Sequence, residues 1–89
     1  MDRIDLLRIF IRVAESGSFT HAADTLQMPR STVSTAVQEL ENRLGTRLLA
    51  RTTRSVRLTD DGRMFQQTAL RLLGDFEDAE NRFRLHSSQ

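Results

Sequence analysis

The sequence predicts a mainly α-helical fold of three short helices, a small β-hairpin and one long terminal helix. Apolar residues recur at spacings of three and four over most of the 89 residues. Ser16-Gly17-Ser18, Gln27-Met28-Pro29 and Gly45 break that periodicity into segments. A single stretch, Arg47 to Thr59, alternates with the period of a strand. The length suits one domain, and a chain this short buries only about 60–65% of its unfolded surface, so its own core is modest.

In residues 3–15, Asp5, Arg8, Arg12 and Glu15 form one polar stripe, and Leu6, Leu7, Phe10, Ile11, Val13 and Ala14 fill the opposite arc. Gly17 is the expected C-cap. Ser18 is placed to N-cap a short second helix whose Phe19, Ala22, Ala23 and Leu26 share a face, the two alanines allowing close helix approach. Gln27-Met28-Pro29 must turn, because Pro29 disfavours helix at Met28 yet is tolerated at a helix start.

The third helix, residues 30–44, gathers Val33, Ala36, Val37, Leu40 and Leu44 on one side. Ser31, Ser34, Thr35, Gln38 and Asn42 gather on the other, with Glu39, Glu41 and Arg43 on the flanks. An ordinary solvated face carries Glu, Lys and Arg; this one carries short or neutral hydrogen-bonding groups. Gly45 closes the helix. In the hairpin, Leu48 and Ala50, then Val56 and Leu58, alternate with polar neighbours around a turn at Thr52 to Ser55.

Thr59 is placed to cap the final helix, with Asp60 and Asp61 at the positive end of its dipole. Its apolar positions Phe65, Ala69, Leu72, Phe76, Ala79 and Phe83 are spaced 4, 3, 4, 3 and 4, a heptad seam. A helix over 60–86 is about 40 Å long, too long to pack along its whole length on a core of this size. Gly74 lies inside it at about 1 kcal/mol relative to Ala. A second copy is the natural cover for the distal half, so a dimer is expected through those six residues.

The net charge of +1 says little, but its distribution is uneven. Residues 1–29 sum to −1, residues 30–63 to +3 and residues 64–89 to −1. Positions 42–58 hold Arg43, Arg47, Arg51, Arg54 and Arg57 with no acid. All thirteen Lys/Arg positions are Arg, whose planar fork matches phosphate oxygens and base edges. A GC-rich genome produces the same usage, so the clustering is the more informative feature. The absence of Cys excludes a disulfide framework and thiolate zinc sites. No stretch has the roughly 18 apolar residues of a membrane span, and Asp2 and Asp5 do not fit a signal peptide, so a cytoplasmic protein is expected.

Helix, tight turn and helix, with an uncharged stripe on the second and a basic hairpin behind it, describe a winged helix-turn-helix over residues 1–58, followed by a linker helix over 59–89. Groove geometry then suggests a mechanism. The third helix would enter the major groove of double-stranded DNA by its N-terminal half, presenting Arg30, Ser31, Thr32, Ser34, Thr35 and Gln38. The hairpin arginines, Arg51 and especially Arg54 near the tip, would meet phosphate or the minor groove.

Residues 18–62 resemble the DNA-binding domain of LysR-type transcriptional regulators. The resemblance rests on Ser18-Phe19-Thr20, Ala22-Ala23 with Leu26, Ser31-Thr32-Val33-Ser34, Leu40-Glu41 and Leu44-Gly45. It continues through Leu48-Leu49, Arg51-Thr52-Thr53-Arg54 and Leu58-Thr59 with Gly62, and with the flanking helices it covers nearly the whole chain. The resemblance implies dimers or tetramers on interrupted, imperfectly palindromic operators, with linker helices paired antiparallel. It implies base or phosphate contacts at Arg30, Ser31, Ser34, Thr35 and Gln38, a phosphate contact at Thr20 and minor-groove reading by Arg54. Many members have Arg at the position of Thr35 and Ser-Gln-Pro where this chain has Pro29-Arg30-Ser31, which bears on the operator sequence. The resemblance also implies an effector-binding domain of about two hundred residues that these residues do not include. The expected small-molecule effector would bind there, and the chain reads either as a DNA-binding fragment or as a stand-alone binder.

No catalytic constellation is present. Ser18, Ser31 and Ser34 lack a His partner at a sensible position, and no glycine-rich phosphate loop occurs. His21 and Asp24 share a helix face without a third ligand, which is the pattern of a solvated pair rather than a metal site. Neither metal nor cofactor is expected. The competing reading is a dimeric coiled-coil module whose helix-turn-helix binds protein. Protein-binding faces favour aromatic and aliphatic anchors, and the third-helix stripe has none.

Overall fold

The computed structural model describes residues 1–52 and 55–87, with side chains as far as residue 84. Three helices, α1 (Arg3–Ser16), α2 (Phe19–Leu26) and α3 (Arg30–Leu44), precede a hairpin of β1 (Leu49–Arg51) and β2 (Val56–Leu58). The long helix α4 (Asp60–Ser87) follows. Helix α1 is the hub. It packs on α2, α3 and α4, and its Leu6, Ile9, Phe10 and Val13 are buried. Ala22 and Ala23 let α2 approach closely, and Val33, Ala36, Val37 and Leu40 supply the α3 side of the core. No helix among the described residues is long and apolar enough to cross a membrane.

The helix ends follow local chemistry. Asp2, Ser18 and Thr59 accept from the backbone N–H groups of Asp5, His21 and Gly62 at 2.8, 3.1 and 2.9 Å, each satisfying a first-turn donor. Gly17 and Gly45 end α1 and α3 in the left-handed conformation. Helix α2 ends the same way without a glycine. Gln27 sits at φ 57°, ψ 46°, and its N–H reaches back to Ala23 and Asp24. The sequence offered no sign of this, because Pro29 alone explained the turn.

The hairpin differs from the alternation read in the sequence. Leu48 and Leu49 are both buried while Ala50 is exposed, so Leu49, not Ala50, is the inward residue of β1. In the antiparallel register Leu49 faces Leu58 and Arg51 faces Val56. Leu48 lies before the strand and is held by a different device. Glu41 of α3 is buried, and its Oε2 accepts from the N–H groups of Leu48 at 2.8 Å and Leu49 at 3.2 Å. A carboxylate that the sequence placed only on the flank of α3 thus ties that helix to the wing.

The same junction fixes α4. The Thr59 hydroxyl donates to the Arg47 carbonyl at 2.7 Å, and the Thr59 N–H donates to the Leu48 carbonyl at 3.0 Å. One turn into α4, Gly62 is buried so close to Leu48 that a Cβ there would overlap the Leu48 carbonyl oxygen. Only glycine allows this approach of helix and wing.

The face of α4 turned to the core is Phe65, Ala69 and Leu73. Phe65 meets Phe10 edge to face at 5.6 Å, Ala69 is fully buried and Leu73 nearly so. The uniform heptad seam therefore needs correction at its proximal end. Ala69 is enclosed by the chain's own core, Phe65 is half-buried against it, and Leu73 rather than Leu72 completes that contact. Beyond Leu73 the core ends and the helix projects. Leu72, Phe76, Ala79 and Phe83 are all exposed, Phe76 to 41% and Phe83 to 67%. The projection accounts for a molecule 52 Å long and only 26 by 19 Å across.

Candidate nucleic-acid interface

Helix α3 presents the expected stripe. Ser31, Thr35, Gln38 and Asn42 are exposed along one side, opposite the buried Val33, Ala36, Val37 and Leu40. Thr32 and Ser34 are half-buried at the margins, Thr32 beside a cleft shared with Met1, Leu6 and Glu39. Arg43 is engaged with Glu39 at 3.2 Å, so the charges flanking the stripe partly cancel. The stripe itself offers donors and acceptors and no formal charge, the inventory that base edges in a major groove require.

Positive charge enters from the ends. Pro29 starts α3 in extended conformation and contributes no side-chain cap, and the first turn holds no acid. The positive end of the helix dipole is therefore not offset locally, and exposed Arg30 stands on it. Thr20 is exposed in the first turn of α2. Thr20 and Arg30 line one cleft of about 220 Å³ with Gly17, Ser18, Thr52 and Ser55, which brings α2, α3 and the wing to a common edge.

The wing turn is closed by reciprocal bonds. Thr52 N–H donates to the Ser55 carbonyl at 2.8 Å, and Ser55 N–H donates to the Thr52 hydroxyl at 2.9 Å. Arg51 is exposed at the end of β1, and its guanidinium carbon lies 4.3 Å from the centroid of the Phe19 ring. Arg30 approaches the same ring at 5.9 Å. Sequence reasoning missed this role for Phe19, since its place on the apolar face of α2 read only as core. Arg54, the wing residue singled out from the sequence, lies outside the described residues.

The structure thus brings Thr20, Arg30, Ser31, Thr35, Gln38 and Arg51 to the surface on adjoining elements, with Thr32 and Ser34 at the edge. The exposed part of the stripe carries no aromatic or aliphatic anchor, so a protein-docking face is not favoured.

Residues 4–63 match the model of the bacterial regulatory helix-turn-helix proteins of the lysR family. The chain belongs to the LysR family. Among similar proteins is the uncharacterized HTH-type transcriptional regulator YhjC of Escherichia coli strain K12, 43% identical over 84 residues, or 94% of this chain and 28% of that protein. Among solved structures, the BenM_DBD/catB site 1 DNA complex superposes with a TM-score of 0.92 at 36% identity, covering 100% of this chain and 98% of that one. The CbnR_DBD–DNA complex superposes at 0.90 with 33% identity, covering 98% and 99%. This LysR-type domain spans between a fifth and a third of the length of the curated relatives it matches.

Proposed function

We propose that this LysR-type domain binds double-stranded DNA sequence-specifically as one half of a homodimer, within a cytoplasmic transcriptional regulator that catalyses no reaction. The observation that carries this reading is the exposed, uncharged stripe of α3 bounded by Arg30 and Arg51. Helix α3 enters the major groove by its N-terminal half, with Ser31, Thr35 and Gln38 toward base edges and Thr32 and Ser34 toward the groove walls. Thr20, Arg30 and Arg51 take backbone phosphates, which fix register rather than read sequence. The wing over residues 47–58 lies at the adjacent minor groove, with Arg54 assigned there from the sequence.

The dimer forms through the projecting part of α4, using Leu72, Phe76, Ala79 and Phe83, while Phe65 supports the helix from its own core. Residues 1–58 and 59–89 then act as reader and linker. Two readers on one face of DNA require half-site centres about one helical turn or a multiple apart, and α4 suits a spacing of two turns on an interrupted palindrome. A full-length regulator of this kind can pair dimers into tetramers and take a small-molecule effector on a further domain.

The test is titration of a fluorescent duplex from the region upstream of its own gene, against a duplex of random sequence, at two salt concentrations. Preference for the upstream duplex is expected, with affinity falling at a log–log slope of about −0.9 per phosphate neutralised. Absence of binding at both salt concentrations would refute the reading.

A further inference from the structure

We propose that Phe19 is a positioning residue for phosphate binding, its ring serving as the shared platform that holds the guanidinium of Arg51, and more loosely that of Arg30, at the DNA-facing edge. This rests on the DNA-binding reading above and adds to it a residue that touches no DNA. Phe19 is the first residue of α2 and is nearly buried, so its ring is fixed by the core. Arg51 ends β1 and Arg30 begins α3, and their guanidinium carbons lie 4.3 and 5.9 Å from that one centroid. The wing strand and the reading helix are therefore referenced to the same side chain.

The manner of holding matters as much as the place. A guanidinium laid over a ring is attracted by the ring quadrupole, and its N–H donors stay in its own plane, free for a phosphate approaching edge-on. A carboxylate holds an arginine by occupying those donors, as Glu39 does with Arg43. Among the described residues, no carboxylate pairs with Arg30 or Arg51. The ring orders two long side chains without adding negative charge to a surface that must approach a polyanion. The polar cleft bounded by Arg30, Thr20, Thr52 and Ser55 opens beside it, where a phosphate can be received.

The test is a double-mutant cycle in the 89-residue chain, with a fluorescent duplex of mixed sequence titrated at a series of salt concentrations as the probe. F19L keeps an apolar side chain and removes the π face; it is expected to weaken binding about five- to tenfold, the range of one or two such contacts. F19Y keeps the ring and is expected to bind as the parent does. R51A is expected to lose affinity and to flatten the log–log salt slope by about one contact. In the R51A background, F19L is expected to cost no more than about twofold, the share left to the weaker Arg30 contact. Additive losses would overturn the proposal, because they place the role of Phe19 in helix packing.

An independent readout needs no variant that risks misfolding. The δ-protons of Arg51 in the free domain are expected to be shifted upfield by the ring current of Phe19. Random-coil shifts at those protons would overturn the proposal. If the parent binds DNA with the expected salt slope but the cycle is additive, the positioning role falls alone. If the parent binds no duplex, the DNA-binding reading falls and takes this role with it.

Discussion

Replacing Glu41 separates what the wing junction contributes from what the core contributes. In Glu41→Ala, the N–H groups of Leu48 and Leu49 lose their acceptor at a site where Leu48 and Leu49 are themselves buried. Each orphaned buried donor costs about 1–3 kcal/mol; since one oxygen serves both, with bonds of 2.8 and 3.2 Å, the loss is about 2–4 kcal/mol. A domain of this size has about 5–10 kcal/mol of stability in all, so the melting temperature falls by about 10–20 °C. Glu41→Gln keeps an acceptor oxygen but without charge, which roughly halves the bond strength and predicts a drop of about 5–10 °C. Arg47→Ala is the control. Its side chain is 74% exposed and its nitrogen stands 4.0 Å from the carboxylate, so a change below about 0.5 kcal/mol is expected. Circular dichroism melts at one protein concentration measure all three, and hydrogen exchange at the Leu48 and Leu49 amides locates the effect. A Glu41→Ala domain melting within about 2 °C of the parent, or Gln and Ala variants of equal cost, would refute the reasoning.

Other sites give sharper directions. Gly62→Ala forces a methyl against the Leu48 carbonyl and is expected to destabilise by about 3 kcal/mol, read as a lower denaturation midpoint; an unchanged midpoint would show that helix and wing can separate freely. Gln27→Gly relieves a left-handed residue, offset by a more flexible unfolded chain, and is expected to raise the melting temperature by about 3–5 °C. Phe76→Glu leaves the core alone and is expected to yield a monomer by sedimentation with helical content retained. A variant that still sediments as a dimer would remove Phe76 from the interface.

What could be read from the sequence was local. Ser18, Gly17, Gly45 and Thr59 mark helix ends by chemistry that acts within four residues, and the structure places each where that chemistry requires. The stripe on α3 was legible for the same reason, because a 15-residue helix gives its period room to register. Three residues of β1 give a period of two almost none, and the burial of Leu48 is decided by Glu41, seven positions earlier on another element. An acid on a helix reads as solvated until its partners are known. Phe19 and Arg51 meet across 32 positions, a pairing no periodicity reveals. Along α4, a heptad spacing averaged two environments. Near the wing the helix serves its own core at Phe65, Ala69 and Leu73, and past that point Phe76, Ala79 and Phe83 are exposed.

The junction of Glu41, Leu48, Thr59 and Gly62 has a mechanical consequence. It joins the long helix, about 40 Å from end to end, to the reading unit at one end, and the stretch past Leu73, about 20 Å of it, extends beyond the core. In the proposed DNA-bound dimer, a rotation about the far end of α4 turns the reading unit with the helix that carries it. A pivot of about 5° there displaces the reading surface by about 3–4 Å, close to the rise of one base pair. Within that proposed dimer, small changes in the crossing angle of the two α4 helices would therefore alter which spacing of half-sites it spans.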